Sequence, residues 1–189
     1  MGALWEGIGT GIGFFIKTFT LYLNHYTVMN TAETAAANKQ TIERFYTAFS
    51  KLDYATMQDC LTEDIVFYDP AFGILENEQV PAMWQMLCTR AKEFSLEFSV
   101  LTVEEEYCTA KWTAKYLFSR TGRRVTNNIK AHLRFRDGKI CEHTDEFSLY
   151  KWSKQAFGWK GLLFGGMSFF KNKIRTTSRK ALQDFMNNQ

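Results

Sequence analysis

Between Thr34 and Lys51 the apolar residues Ile42, Phe45, Tyr46 and Phe49 recur at helical spacing while polar residues fill the other face, which predicts an amphipathic helix. The stretch KLDYATMQDCLTEDI reads as a turn and a short second helix that points Met57, Cys60 and Leu61 inward. IVFYDP, from Ile65 to Pro70, reads as a short apolar strand. NEQVPAMWQMLCTRAKEF is a third helix, with Pro81 suited to its first turn and Met83, Trp84 and Leu87 as its apolar stripe. After Phe94 the period changes from about 3.6 to about 2. LEFSVLTVEEEY, CTAKWTAKYLFSR, RRVTNNIKAHLRFRDG and KICEHTDEFSLYKW then read as four long strands. Thr121-Gly122 and Asp137-Gly138 join the last three as antiparallel hairpins. In the second of these strands Cys108, Ala110, Trp112, Ala114, Tyr116 and Phe118 share one face, and Thr109, Lys111, Thr113 and Lys115 share the other. That is a half-buried sheet. Helices followed by a curved, mostly antiparallel meander predict an α+β domain with its helices on one face.

Beyond Trp152 the pattern changes again. A glycine-rich apolar segment reads as a loop, and an amphipathic helix from about Ser168 carries Phe170, Ile174, Leu182 and Phe185. Leu162, Leu163, Phe164, Met167 and Phe169 would form an awkward patch in water, so they are expected to cover the domain, a partner subunit or a pocket mouth. The division expected is 1–28 as an apolar extension, 29–152 as the domain, and 153–189 as a basic helical extension packing on it.

Composition adds two constraints. Aromatics make up 16% of the chain, which suits a large apolar core or a pocket lining. The net charge of +3 is uneven: from Lys151 onward eight Lys/Arg face one acid, Asp184, giving +7 and leaving −4 for residues 1–150. A solvated helix face accounts for that tail better than nucleic acid or lipid does, so no nucleic-acid partner is expected. Residues 1–28 look like a membrane signal at first sight. The only early charge is Glu6, however, and Lys17 interrupts the run at a cost of about 2.5–3.5 kcal/mol in a bilayer. Membrane contact through residues 1–28 or the basic tail is therefore the minority reading. Cys60, Cys88, Cys108 and Cys141 form no C-x-x-C pair, which points to reduced thiols and a cytoplasmic protein.

The candidate chemistry starts at IVFYDPAFG, where an apolar run ends on Asp69. This is either a surface turn or a general base in the core. On the last strand His143 and Asp145 lie at i and i+2, hence on one face. If that face is inward, Asp69, Asp145 and His143 meet in one apolar cavity, where burial and like charge push carboxyl pKa values apart. The alternative turns His143 to solvent and Glu142, Thr144 and Glu146 inward. Trp84, Trp112, Tyr116, Phe118, Leu133 and Phe135 read as core and pocket wall, Tyr46 and Tyr68 as possible hydrogen-bond donors. His132 is expected outside the cavity with Arg134, and Asn127 and Asn128 at its mouth. Three distant histidines make no metal site, and no phosphate loop or Ser-His-Asp order appears.

The order helix, helix, DP strand, helix and meander resembles the NTF2-like superfamily, a cone-shaped α+β fold with an internal pocket. From Asn38 to Leu149 the chain is similar to SnoaL-like and ketosteroid-isomerase-related domains, most strongly in RFYTAFSKLDYATMQDCLTEDIVFYDPAFG and again in GRRVTNNIKAHLRFRDGKI. The resemblance implies a base at Asp69 and a pocket acid at Asp145. It also places the isomerase's oxyanion Tyr at Phe45 and its protonated Asp at Ala131, so both donors are missing. Each such donor is worth about 10²–10³ in rate, which argues against steroid isomerase chemistry. Tyr46, beside Phe45, is expected to point elsewhere on its helix. Phe45, Tyr46, Tyr68, Trp84, Trp112, Tyr116, Ala131 and Leu133 are the expected substrate-binding set. The function expected is cofactor-free acid–base chemistry of isomerase, hydrolase or cyclase type on an apolar small molecule; the alternative is a non-catalytic binding module. Pairing of two copies through the sheet is implied by the resemblance alone.

Overall fold

The computed structural model describes residues 32–188. The reading of residues 1–28 as an extension lies outside the described residues. Helix α1 runs through residues 32–50 and buries Ile42, Phe45, Tyr46 and Phe49 as one face. Asn38, almost fully buried, ties its first turns down by donating to the Glu105 carbonyl at 2.7 Å. Asp53 caps α2 (Tyr54–Asp59), accepting from the Thr56 amide at 3.1 Å.

Strand β1 (Leu61–Asp69) starts four residues before the apolar run that announced it. It turns through residues 70–72 into β2 (Gly73–Glu76), a strand the sequence reading did not contain. Gly73 closes that turn at φ +74°, and a Cβ there would lie 3.2 Å from the Arg175 side chain. Helix α3 (Gln79–Arg90) buries Val80, Met83 and Trp84. Leu87 does not complete that stripe: at 36% exposure it sits at the rim of the cavity described below.

The meander is β3 (Ser95–Val103), β4 (Tyr107–Phe118), β5 (Arg123–Arg136) and β6 (Lys139–Glu146), all antiparallel. Asp137 and Gly138 both have positive φ, as a two-residue hairpin turn requires. The six strands form one curved, open sheet in the order β2-β1-β6-β5-β4-β3, with β1 parallel to β6. Helices α1 and α3 pack their apolar faces into its concave side.

The C-terminal part departs from the sequence reading. The last strand stops at Glu146, and Ser148 caps helix α4 (Leu149–Phe157), which buries Leu149, Trp152 and Ala156 at helical spacing. The expected glycine-rich loop is instead helix α5 (Trp159–Phe164). Gly161 belongs there for contact reasons, since a Cβ at that position would stand 1.9 Å from the Ser153 carbonyl oxygen. Helix α6 (Ser168–Met186) follows as expected and buries Ile174 and Leu182.

Arg179 fastens α6 to the edge of the sheet. Its Nε donates to the Phe72 carbonyl at 2.9 Å, and its Nη2 donates to the Ile74 carbonyl. One acceptor is the last residue of the turn and the other the second residue of the edge strand β2, so the arginine also covers an open sheet edge. Arg179→Met is expected to cost about 1–2 kcal/mol. Urea unfolding with an unchanged slope would register it as a stability loss alone.

Candidate active site

A cavity of about 1010 Å³ lies between the concave face of the sheet and helices α3 to α6. Phe67, Trp84 and Trp112 form part of its floor, and Phe157, Phe170 and Ile174 close it from the C-terminal helices. The C-terminal extension is therefore a wall of the pocket. Two carboxylates interrupt the apolar lining, Asp69 and Asp145.

Asp69 ends β1 with its side chain inward, because alternation along that strand buries Ile65, Phe67 and Asp69 in turn. Its Oδ1 accepts the amides of Ala71 at 2.9 Å and Phe72 at 2.5 Å. The Asp-Pro turn and the pocket carboxylate are thus one feature: one oxygen holds the turn while the residue borders the cavity. Burial pushes the carboxyl up to about 7, with the Asp145 charge acting in the same direction. The two backbone amides and Arg175 oppose this without cancelling it.

Asp145 lies on the inward face of β6, paired across the ladder with Ala131. Its Oδ1 accepts from Trp112 Nε1 at 3.1 Å and stands 3.0 Å from His143 Nε2. His143 is equally inward, with Glu142 and Glu146 on the opposite, exposed face. A carboxylate oxygen accepts, so the bond runs from His143 Nε2 to Asp145, and Nδ1 has no partner among the described residues. The ring is held by Phe45, Phe67 and Trp84 at centroid distances of 5.8, 5.3 and 5.7 Å. His143 therefore stands behind Asp145 and does not reach the cavity. Its polar contact is with Asp145 alone among the described residues.

A third polar group is Tyr116 on β4, at the cavity wall. Its hydroxyl oxygen accepts from Trp152 Nε1 at 2.7 Å, and its own proton enters no hydrogen bond among the described residues. Burial pushes this phenol up to about 12; the Trp152 bond opposes that and the Asp69 charge adds to it. Tyr116 therefore keeps its proton, on the same cavity as Asp69.

Of the other expected pocket residues, Trp84 and Trp112 line the cavity. Phe45, Ala131 and Leu133 do not; they are buried in the core behind it, as is Phe135. Tyr46 is buried with the apolar face of α1, as its spacing predicts, but does not line the cavity; it packs on Phe98 and Trp112 at 5.4 and 6.1 Å with its hydroxyl unpartnered. Tyr68 is 38% exposed on the outer face, one residue out of phase with Asp69. Asn127 reaches the cavity, whereas Asn128 points outward to Thr113 at 2.9 Å. His132 lies outside, 3.5 Å from Glu146, as expected. Trp152 and the α6 residues Lys173, Thr177 and Ser178 were missed as pocket residues. The spacing of Leu149, Trp152 and Ala156 was the available signal for the first of them.

The SnoaL-like domain model matches residues 42–143, more than half of the chain. The chain belongs to the SnoaL-like family. Helices α4 to α6 lie beyond the matched residues. Solved structures share the NTF2-like fold. A candidate polyketide cyclase from Xanthomonas campestris superposes with a TM-score of 0.58 at 18% identity, over 65% of this chain and 98% of that one. A candidate isomerase from Bacillus subtilis gives 0.56 at 16% identity, over 66% and 95%. A protein of ketosteroid isomerase-like fold from Catenulispora acidiphila, in complex with trimethylamine, gives 0.55 at 13% identity, over 62% and 92%. A search among curated proteins finds no match. Among the described residues no helix is long and apolar enough to cross a membrane.

Proposed function

We propose that this SnoaL-like protein catalyses cofactor-free proton transfer next to a carbonyl of an apolar, cyclic or polyketide-like small molecule. The observation that carries the reading is the pairing, on one apolar cavity, of the buried Asp69 carboxylate with the neutral Tyr116 hydroxyl. Asp69 takes the proton from carbon as general base, and a base that titrates near neutrality is matched to that task. The electron pair moves to the carbonyl oxygen, where the Tyr116 O–H donates to the developing enolate. Trp152 strengthens that donor by bonding its oxygen. Return of the proton from Asp69 to another carbon gives isomerisation; attack of the enolate carbon on a second carbonyl of the same molecule gives cyclisation, the new alkoxide taking the proton back from Asp69. The Asp145 carboxylate, fixed by Trp112 and His143, acts on Asp69 through its charge and so favours the protonated form of Asp69 after the abstraction step.

Tyr116 takes the place of the donors missing at Phe45 and Ala131. The names carried by neighbouring structures, cyclase and isomerase, support the same reaction class. The test is deuterium uptake from solvent into a panel of cyclic enones and β-dicarbonyl compounds, followed by NMR. Tyr116→Phe is expected to lower kcat about 10²–10³-fold with little change in KM, and Trp152→Phe to lower it less. Uptake by Tyr116→Phe equal to that of the parent protein would remove Tyr116 from the mechanism. A panel that binds in the cavity without any exchange would instead make the protein a carrier.

A further inference from the structure

The corner made by α5 and the start of α6 is the most apolar exposed surface among the described residues. Trp159 is 64% exposed, Leu163 58%, Phe169 59% and Leu162 51%, with Met167 beside them. Lys154, Lys160, Lys171 and Lys173 are exposed around this stretch, and none is ion-paired among the described residues. The Lys160 ammonium lies over the Trp159 ring at 5.6 Å, and Lys154 over Tyr150 at 5.6 Å. The acids that flank this stretch in sequence are engaged elsewhere: Glu146 stands 3.5 Å from His132, and Asp184 is paired with Lys180 at the far end of α6.

We propose that this corner docks on an anionic lipid bilayer, its apolar side chains entering the headgroup–acyl boundary and its lysines meeting lipid phosphates. Trp and Leu on a short helical corner with lysines at the flanks is the chemistry of interfacial binding, where apolar insertion and a basic patch act together. The charge decides against a second copy of the chain as the occupant. Self-pairing through this corner would set like-charged lysines against one another, while a phosphatidylserine surface neutralises all of them. Trp159, Lys160, Phe164 and Phe169 also border the cavity, so the docked corner places the pocket mouth at the lipid surface. An apolar substrate then passes from bilayer to cavity without crossing water; that last step rests on the proposed chemistry, whereas the docking does not.

The experiment is flotation of the full chain with phosphatidylcholine vesicles containing or lacking phosphatidylserine, read without any turnover. Binding is expected only with phosphatidylserine and is expected to weaken as salt rises. Leu162→Ser with Leu163→Ser should lower the apparent affinity roughly tenfold or more, as should Lys160→Glu with Lys171→Glu. Both pairs are surface changes, and an unchanged melting temperature confirms that the variants are folded. Absence of vesicle binding by the parent protein overturns the proposal. So does binding that neither pair weakens, which would assign it to residues 1–31. Self-association that the leucine pair abolishes, without vesicle binding, gives the corner to a second copy and overturns it as well.

Discussion

Asp69→Asn is expected to keep the fold and remove the chemistry. The asparagine oxygen still accepts the amides of Ala71 and Phe72, so the turn into β2 survives. What disappears is the base, and deuterium uptake should fall by about 10²–10⁴-fold. The same substitution has a stability signature of known sign. In the folded chain Asp69 titrates at about 7 because it is buried; unfolded, it titrates at about 3.9. Between those values the folded state holds a proton that the unfolded state has lost. Stability therefore falls as pH rises through this window, by at most about 1.4 kcal/mol per pH unit, and levels off above about 7. Asparagine removes that slope. Urea unfolding at about pH 5 and about pH 8 should show the parent losing stability and the variant holding it, with the variant the more stable at the higher pH. A variant that unfolds, or one that keeps full turnover, would count against the assignment.

Gly161→Ala should be the most damaging single methyl in the C-terminal part. Its Cβ would lie 1.9 Å from the Ser153 carbonyl oxygen and 2.4 Å from the carbonyl carbon, and neither is a flexible side-chain end. The α4 and α5 backbones must separate, at a cost of about 3 kcal/mol, the upper end of what overpacking usually gives. Because α4 carries Trp152, the Tyr116 bond should loosen with it. The expected result is faster proteolysis between Phe157 and Phe164 and a weaker near-ultraviolet aromatic signal, with the sheet still folded. Gly166→Ala is the matched control. Its Cβ would meet only Tyr150 Cδ2, at 3.9 Å, and should change little.

The contrast between those two glycines shows where the sequence was hard to read. Glycines lower helix propensity, so the segment around Gly161 looked like a loop; the helix exists because tertiary contact with α4 requires a residue without a Cβ. Strand β2 was invisible for a different reason, since four residues are too few for alternation to show. The elements with long periodic stripes were legible: α1 through Ile42, Phe45 and Phe49, and β4 through its buried even-numbered residues. Alternation put His143 and Asp145 on one face but left open which way it pointed, and left Asp69 open between a surface turn and the core; the burial of Asp69 and Asp145 answers both, and the same rule should have excluded Tyr68. Periodicity gives the face a residue points to but not its depth. His143, Phe45 and Leu133 were all inward, yet they ended in the core behind the cavity because Trp84 and Trp112 occupy its floor. The Tyr116–Trp152 bond joins β4 to a helix outside the family match, a long-range pairing that no local pattern announces.

The proposed chemistry rests on Asp69 being a base poised near neutrality on the wall of an apolar cavity. The most direct test is a titration of its side-chain carboxyl by carbon-13 NMR, in the parent protein and in Asp145→Asn. The expected midpoint is at about 7 and moves down when the Asp145 charge is removed, with burial still holding it above an ordinary carboxylate. A midpoint at about 3.9, indifferent to Asp145, would describe a solvated turn residue and rule Asp69 out as the base.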